Sequence, residues 1–288
     1  MSLSGQNLSI VIVTFKSENV IHDCIRSIDQ NIPIIIVENS HDYKFKEEIE
    51  VKYKNVKCVL TEKNLGMGAA NNKGISIADT DYVYILNPDT ILEKDTLKNL
   101  FIESKKIQNF SIISPIHSDK KIPNWKNKFN KNFDDSKPFE VDSVDGFSML
   151  INKKFLYEPY FDENFFLYLE NDDLCLRAKQ SGGHIFIIPN AKIMHKGAKA
   201  VDEKYAKEIE YSRNWHWIWS KFYFNKKHYG FLKAFFNGFP NFISSIIKYL
   251  FFLLLNNKNR KKIYFNRASG FFNALIGKAS WYRPKLDD

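Results

Sequence analysis

The sequence predicts an α/β protein, a mostly parallel sheet flanked by helices with a helical extension at the C-terminus. Two observations lead there. Five short apolar, β-branched runs recur through residues 8–115 with helical patterns between them, an alternation that builds parallel sheets. From about residue 203 the pattern becomes helical and rich in aromatics. With 288 residues, 44% of them hydrophobic, the chain can bury one large domain or one and a half, which excludes global disorder.

Residues 8–14, LSIVIVT, read as a strand buried on both faces. Val20, Ile21, Cys24, Ile25 and Ile28 then repeat at helical spacing behind Ser17, a candidate N-cap. Pro33 opens a second buried run, IIIVENS, followed by a polar helix near 43–52 and a third strand at 56–60. MGAANNKGISIA predicts a helix, 82–87 a fourth strand, EKDTLKNLFIESKK a helix and 110–115 a fifth strand. Residues 117–140 are polar and without period, as expected of a surface loop. A strand returns at 144–152, and GGHIFIIP and AKIMH read as two more short strands. Domain boundaries are expected at 1–202, with halves of about 8–115 and 116–202, and at 203–288 for the helical region.

The net charge of +9 suits an anionic partner: a nucleotide, a nucleic acid or an anionic lipid surface. No RNP, helix-turn-helix or zinc spacing is present, so no nucleic-acid partner is expected. Cys24, Cys58 and Cys175 form no CxxC and are odd in number, which fits buried thiols in a reduced compartment. The start, MSLSGQNLSIVIV, lacks a basic segment before its apolar run, so a cytoplasmic protein without a secretory signal is expected. In the C-terminal region, Ile243, Ile246, Ile247, Leu250, Phe251 and Leu254 form an apolar face, but uninterrupted apolar sequence runs only from Tyr249 to Leu255. That is too short to span a bilayer, which needs ~20 residues. The neighbouring NNKNRKK leaves two options: an interfacial helix on an anionic leaflet, or a helix that packs on the sheet or on another subunit.

Polar residues stand at strand ends that border one sheet edge: Thr14 after the first strand, Glu38-Asn39-Ser40 after the second, Asn87-Pro88-Asp89-Thr90 after the fourth. In open α/β sheets this edge forms the ligand crevice. NLGMGAANNKG, at 64–74, adds glycines and a helix start, which favour a bound anion.

VIVTFKSENVIHDCIRSI, IIIVENS, NLGMGAANNKGI, YVYILNPDT, VDGFSMLI and FDENFFLYLENDDLCLRAKQSGGHIFIIPNAKIMHKG, in this order, resemble the family 2 glycosyltransferases. The rhamnosyltransferase- and galactofuranosyltransferase-like branch is the nearest likeness, over residues 8–200. The resemblance implies the GT-A fold and an inverting transfer of a hexose or deoxyhexose. The donor would be a nucleotide diphosphate sugar, UDP- or dTDP-linked by preference, and the cofactor Mn²⁺ or Mg²⁺. The acceptor would be a glycan or lipid-linked glycan in cell-surface polysaccharide synthesis, with contact to the inner-membrane surface and oligomer formation both left open.

By position, the resemblance places Thr14, Phe15, Glu38, Asn64, Gly66, Asn71 and Asn87 around the nucleotide. Asp89 takes the second acidic place of the family's Asp-x-Asp metal motif, whose first place is Asn87 here, and His195 takes that of a closing metal ligand. Asp142, Asp145 and Gly146 are donor or acceptor contacts, the glycine admitting the sugar close to the backbone. An inverting transfer needs a base for the acceptor hydroxyl. The family keeps an aspartate for this where the chain has Asn171. Three readings follow: Glu170 serves instead, Asp172 serves after a local shift, or the protein is a catalytically impaired sugar-nucleotide-binding or scaffold protein. Asp173 and Arg177, four apart, are expected to form a helix-supporting pair.

Overall fold

The computed structural model describes residues 7–107, 109–127, 134–197 and 199–286. The chain forms two compact units. The first holds residues 1–162 and 171–202, the second 163–170 and 203–288.

The first unit opens with β1 (Leu8–Thr14), α1 (Glu18–Arg26), β2 (Ile34–Glu38), α2 (Tyr43–Lys52) and β3 (Val56–Leu60). It continues through α3 (Met67–Ile77), β4 (Tyr82–Leu86), β5 (Thr90–Leu92), α4 (Thr96–Lys106) and β6 (Phe110–His117). Three two-residue strands follow, β7 (Trp125–Lys126), β8 (Phe139–Glu140) and β9 (Ser143–Val144), then β10 (Ser148–Asn152), α5 (Glu170–Gln180) and β11 (His184–His195). The sheet order is β3-β2-β1-β4-β10-β6-β11-β5, with β8 also on β11. β3, β2, β1 and β4 are mutually parallel, and β10 runs antiparallel between β4 and β6.

β1 is buried along its whole length because helices cover both sheet faces. Ile10 and Ile12 pack with Ile21, Ile25, Phe45 and Leu100 of α1, α2 and α4. Val11 and Val13 point the other way, toward Ala70 and Ile75 of α3 and Leu174 of α5. Gly74 lets α3 approach, since a Cβ there would lie 2.3 Å from Val11 Cγ1.

Four expectations change. GGHIFIIP and AKIMH form one strand, β11, which absorbs Pro189 by a register shift against β6 between Ile188 and Lys192. β5 is too short to show a sequence period and exists by pairing with the end of β11. The strand expected at 144–152 is regular only from Ser148, because the Asp145-Gly146 turn precedes it. In the loop at 117–140 the described residues contribute β7 and β8, and 128–133 lie outside the described residues.

The second unit contains α6 (Ala206–Tyr229), α7 (Phe231–Leu254) and α8 (Lys258–Leu275). Its core is Trp215, Ile218, Trp219, Phe222, Ala234, Phe271 and Ala274. α7 continues through Pro240, with Phe235 and Phe242 on either side of the proline facing the Phe271 ring. Gly270 allows α8 to touch α6: a Cβ there would lie 2.4 Å from the Trp215 carbonyl oxygen. Segment 163–170 packs within this unit. The rings of Phe165 and Tyr223 lie 4.9 Å apart, the Leu167 carbonyl accepts from Ser220 Oγ at 2.8 Å, and Phe166 stacks on His216 at 4.5 Å.

His216 is fully buried, with Nε2 2.9 Å from the Tyr282 carbonyl and Nδ1 3.1 Å from Ser280 Oγ. Burial pushes its imidazole down to about 3, so it is neutral when folded and takes up a proton on unfolding below its ordinary value. The stabilisation is complete above pH ~6.5 and is lost as the pH falls toward about 3. Near pH 4.5 this unit is expected to lose about 2–3 kcal/mol. Tryptophan-detected melts check it, since Trp215, Trp217, Trp219 and Trp281 all belong to this unit. A His216→Gln variant with an unaltered acid dependence would contradict it.

Candidate active site

The topology gathers the candidate residues on one edge. Thr14 and Glu38 end β1 and β2 in register, and Asn87 follows β4. β10 is antiparallel to β4, so Asp145 and Gly146, just before its start, come to the same edge. β11 runs parallel to β6, and its last residue, His195, pairs with Thr90 of β5. That register sets His195 beside Asp89.

Asp89 is buried and held by the chain that leaves β11. Its carbonyl accepts from the Lys196 amide at 3.0 Å, and Oδ2 accepts from the Lys199 amide at 3.2 Å. Oδ1 has no donor in hydrogen-bonding geometry, and His195 Nε2 lies 3.3 Å away. Thr14 Oγ1, Asn71 Oδ1 and Asn87 Oδ1 are likewise buried without a partner. Orphaned buried oxygens cost about 1–3 kcal/mol each unless something binds them, so these four make the sheet edge a candidate polar ligand site.

The turn carrying Asp89 is built locally. The Asn87 carbonyl accepts from Thr90 N and Oγ1, and the Asn87 amide donates to the Phe147 carbonyl at 2.9 Å. Phe147 stacks on His195 at 4.2 Å, and His117 Nε2 accepts from the His195 amide at 3.3 Å. The sequence reading missed His117 because its strand was expected to stop at residue 115. Its place at the end of β6, on the same edge, is the signal that points to it.

Around the nucleotide candidates the loops are tightly bonded. The Glu38 carboxylate is buried and accepts from the Ser40 amide, Ser40 Oγ and the Asp42 amide, so it braces its own loop. Burial pushes Glu38 up from its ordinary value, while these bonds pull it down. Asn39 donates to Asn64 Oδ1 and the Gly66 carbonyl and accepts from the Leu65 amide, which fixes loop 64–66. Gly66, at φ 84°, caps α3 in a backbone region that favours glycine. Phe15 is half-buried, and its amide donates to Ser17 Oγ. Ser17 therefore does not cap α1 with its side chain: the hydroxyl donates to the Ala200 carbonyl at 2.6 Å, tying down the exit of β11. Lys196 pairs with Asp23 at 2.7 Å.

The acidic run at α5 separates into distinct roles. Asn171 donates to the Val144 carbonyl at 2.8 Å, and a Cβ on Gly146 would lie 3.2 Å from its Cβ. Gly146 therefore makes room for Asn171. An aspartate at 171 could not donate this bond. Both Asp172 oxygens are within 2.8 Å of Lys126 Nζ, and Oδ1 also accepts from Ser143 Oγ at 2.9 Å. Asp173 is buried and pairs with Arg177 at 2.8 Å, the expected i,i+4 support. Asp142 pairs with Lys179 at 3.1 Å. Asp145 is pushed up from its ordinary value by burial, with Lys126 pulling it down. Glu170, the first residue of α5, is buried and belongs to the second unit. Tyr168 and Leu169 precede it at φ 71° and 67°, two consecutive non-glycine residues in the left-handed region. Such conformations cost on the order of 1–2 kcal/mol per residue and persist only where the surroundings enforce them.

Burial pushes all three thiols up to about 12, so none is a ready nucleophile. Among the described residues no group of three or more His, Cys, Asp and Glu side chains could by itself hold a metal.

The chain is 26% identical over 204 residues to the low-salt glycan biosynthesis hexosyltransferase Agl10 of Haloferax volcanii, covering 62% of this chain and 64% of that protein. It is 25% identical over 221 residues to rhamnosyltransferase WbbL of Escherichia coli, covering 65% and 82%. Among solved structures, GalNAc-T7 with UDP, GalNAc and Mn²⁺ superposes with a TM-score of 0.56 at 15% identity, over 65% of this chain and 42% of that one. TarS 1–349 of S. aureus in complex with UDP gives 0.50 at 16% identity, over 98% and 94%. These superpositions show the GT-A fold. Residues 9–169 match Glycosyl transferase family 2, and the chain belongs to that family.

Proposed function

We propose that the protein is an inverting, metal-assisted glycosyltransferase acting on the cytoplasmic side. It would move a hexose or deoxyhexose from a nucleotide diphosphate sugar to a glycan or lipid-linked glycan. One observation carries the reading: Asp89 is fixed through its carbonyl and Oδ2, while Oδ1, buried and without a donor, faces His195 Nε2 at 3.3 Å. The relatives named for hexosyl and rhamnosyl transfer, and a GT-A neighbour solved with UDP and Mn²⁺, support it.

A hard divalent cation fits this pair, since such ions bind through one or two protein ligands plus substrate phosphates and water. Asp89 and His195 would hold it. When bound, the ion supplies charge neutralisation for the departing diphosphate. Thr14, Asn71 and Asn87 offer buried oxygens to ribose or base donors. Glu38, whose oxygens are taken by its own loop, shapes the base pocket rather than reading the base directly.

In the transfer, the acceptor oxygen attacks the anomeric carbon from the face opposite the diphosphate. Its proton goes to Glu170, and the electron pair of the breaking C–O bond leaves with the diphosphate. The choice of Glu170 rests on its place at the start of α5 and on the commitments of its neighbours. Asn171 is bonded to the backbone, and Asp172 is neutralised by Lys126. Asp145 remains the candidate for contact with the sugar.

Transfer and donor hydrolysis, measured for UDP-, dTDP- and GDP-sugars with Mn²⁺ and again with EDTA, test this. Turnover of at least one donor that EDTA abolishes is expected. Nucleotide binding without turnover of any donor would favour the catalytically impaired reading that Asn171 suggests, and absence of binding would remove both.

A further inference from the structure

The second unit carries a feature that the transfer reaction does not use. Leu232, Phe236, Ile243, Ile247, Leu250 and Leu254 lie on one side of α7, spaced 4, 7, 4, 3 and 4 residues apart. At 100° per residue they fall within an arc of about 60° over roughly 33 Å of helix. The opposite side of α7 packs inward, through Ala234 and Phe242. The stripe is open to solvent: Leu232 is 70% exposed, Phe236 68%, Ile247 61% and Leu254 85%. Single exposed apolar residues are ordinary, but a continuous row of this length marks a contact surface.

Charge identifies the partner. Residues 211–286 contain fourteen Lys and Arg and no Asp or Glu. The whole chain has 42 basic and 33 acidic residues, so the remainder holds 28 against 33, a net of −5. All of the positive excess therefore lies in the helical unit. Lys258, Arg260, Lys261 and Lys262 follow directly on the end of α7. A second copy of the same surface would bring like charges together, which disfavours self-association through it. Bulky aliphatic side chains along the row do not suit nucleic acid, whose recognition is polar and cationic.

We infer that α7 lies flat on an anionic phospholipid bilayer, with the stripe from Leu232 to Leu254 in the acyl boundary and the cluster from Lys258 to Lys262 against the headgroups. No helix among the described residues is long and apolar enough to cross a membrane, so the contact is monotopic. Exposed Trp217 and Trp281 belong to the same unit, and tryptophan favours the headgroup level. Such a placement suits a lipid-linked acceptor, but it is read from the surface alone and stands apart from the transfer chemistry.

Vesicle flotation of the full chain, without donor or acceptor, tests it. The protein is expected to float with phosphatidylglycerol-containing vesicles and about tenfold less with pure phosphatidylcholine, with bound protein falling as salt is raised. The combined Leu232→Ser, Phe236→Ser, Ile247→Ser, Leu254→Ser variant changes only exposed positions. It should keep its melting temperature and nucleotide affinity while losing flotation. A Lys258→Glu, Arg260→Glu, Lys261→Glu, Lys262→Glu variant should lose the preference for anionic vesicles. Failure of the parent chain to float, or flotation unchanged in the serine variant, overturns the inference. So does a stable dimer by light scattering that the serine variant dissociates.

Discussion

The Glu170→Gln variant is expected to transfer sugar about 10²–10⁴-fold more slowly than the parent chain, with nucleotide affinity preserved. Glutamine keeps the shape of the side chain and removes its ability to take a proton. Neither neighbour can substitute. Asn171 is an amide bound to the Val144 carbonyl, and Asp172 is held by Lys126 and Ser143. Asp172→Asn should therefore cost less than about tenfold, mostly through a loosened β7–β9 corner. Steady-state transfer assays on both variants decide the matter. If Asp172→Asn is the more damaging change, the base is Asp172, and Glu170 loses the role proposed for it. Asn171→Asp should not raise activity, because a carboxylate there meets a carbonyl oxygen it cannot bond.

Asp89→Asn should separate stability from activity. Transfer is expected to fall by about 10²–10³-fold, and Mn²⁺ affinity by titration to fall with it. The fold should be unharmed, because Asp89 Oδ1 has no donor to lose and the Lys199 amide can still donate to the amide oxygen. A buried carboxylate with one bare oxygen is a poor choice for stability and a good one for gripping a cation. A melting temperature that stays level or rises as transfer collapses would be the signature. A parallel loss of both would mean that Asp89 serves the fold.

How much of this the sequence disclosed depended on how local each cause was. β1, β2, β4 and the helices between them were legible because strands buried on both faces and amphipathic helices write their own periods. β5 and the continuity of β11 were not, since a three-residue strand and a strand across Pro189 exist only through their partners. Asp89 was legible from its motif, but its two anchoring amides, at Lys196 and Lys199, come from more than a hundred residues away. His117 was not, because its strand runs two residues past its expected end at 115 and only that strand end points to it. Ser17 stands at the N-cap of α1 as expected, but its hydroxyl is bonded elsewhere, and Gly146 lies against a side chain of another element. In both cases the actual partner, Ala200 or Asn171, is distant in sequence.

The segment from Glu163 to Glu170 packs among the C-terminal helices, through Phe165, Phe166 and the Leu167 carbonyl, while the rest of α5 belongs to the sheet unit. A fragment ending near residue 202 would keep the sheet and its strand ends but lose Ser220 and Tyr223, on which the stretch around the left-handed turn at Tyr168 and Leu169 is packed. In evolution and in engineering alike, residues 163–170 can be exchanged only together with the helices they pack on.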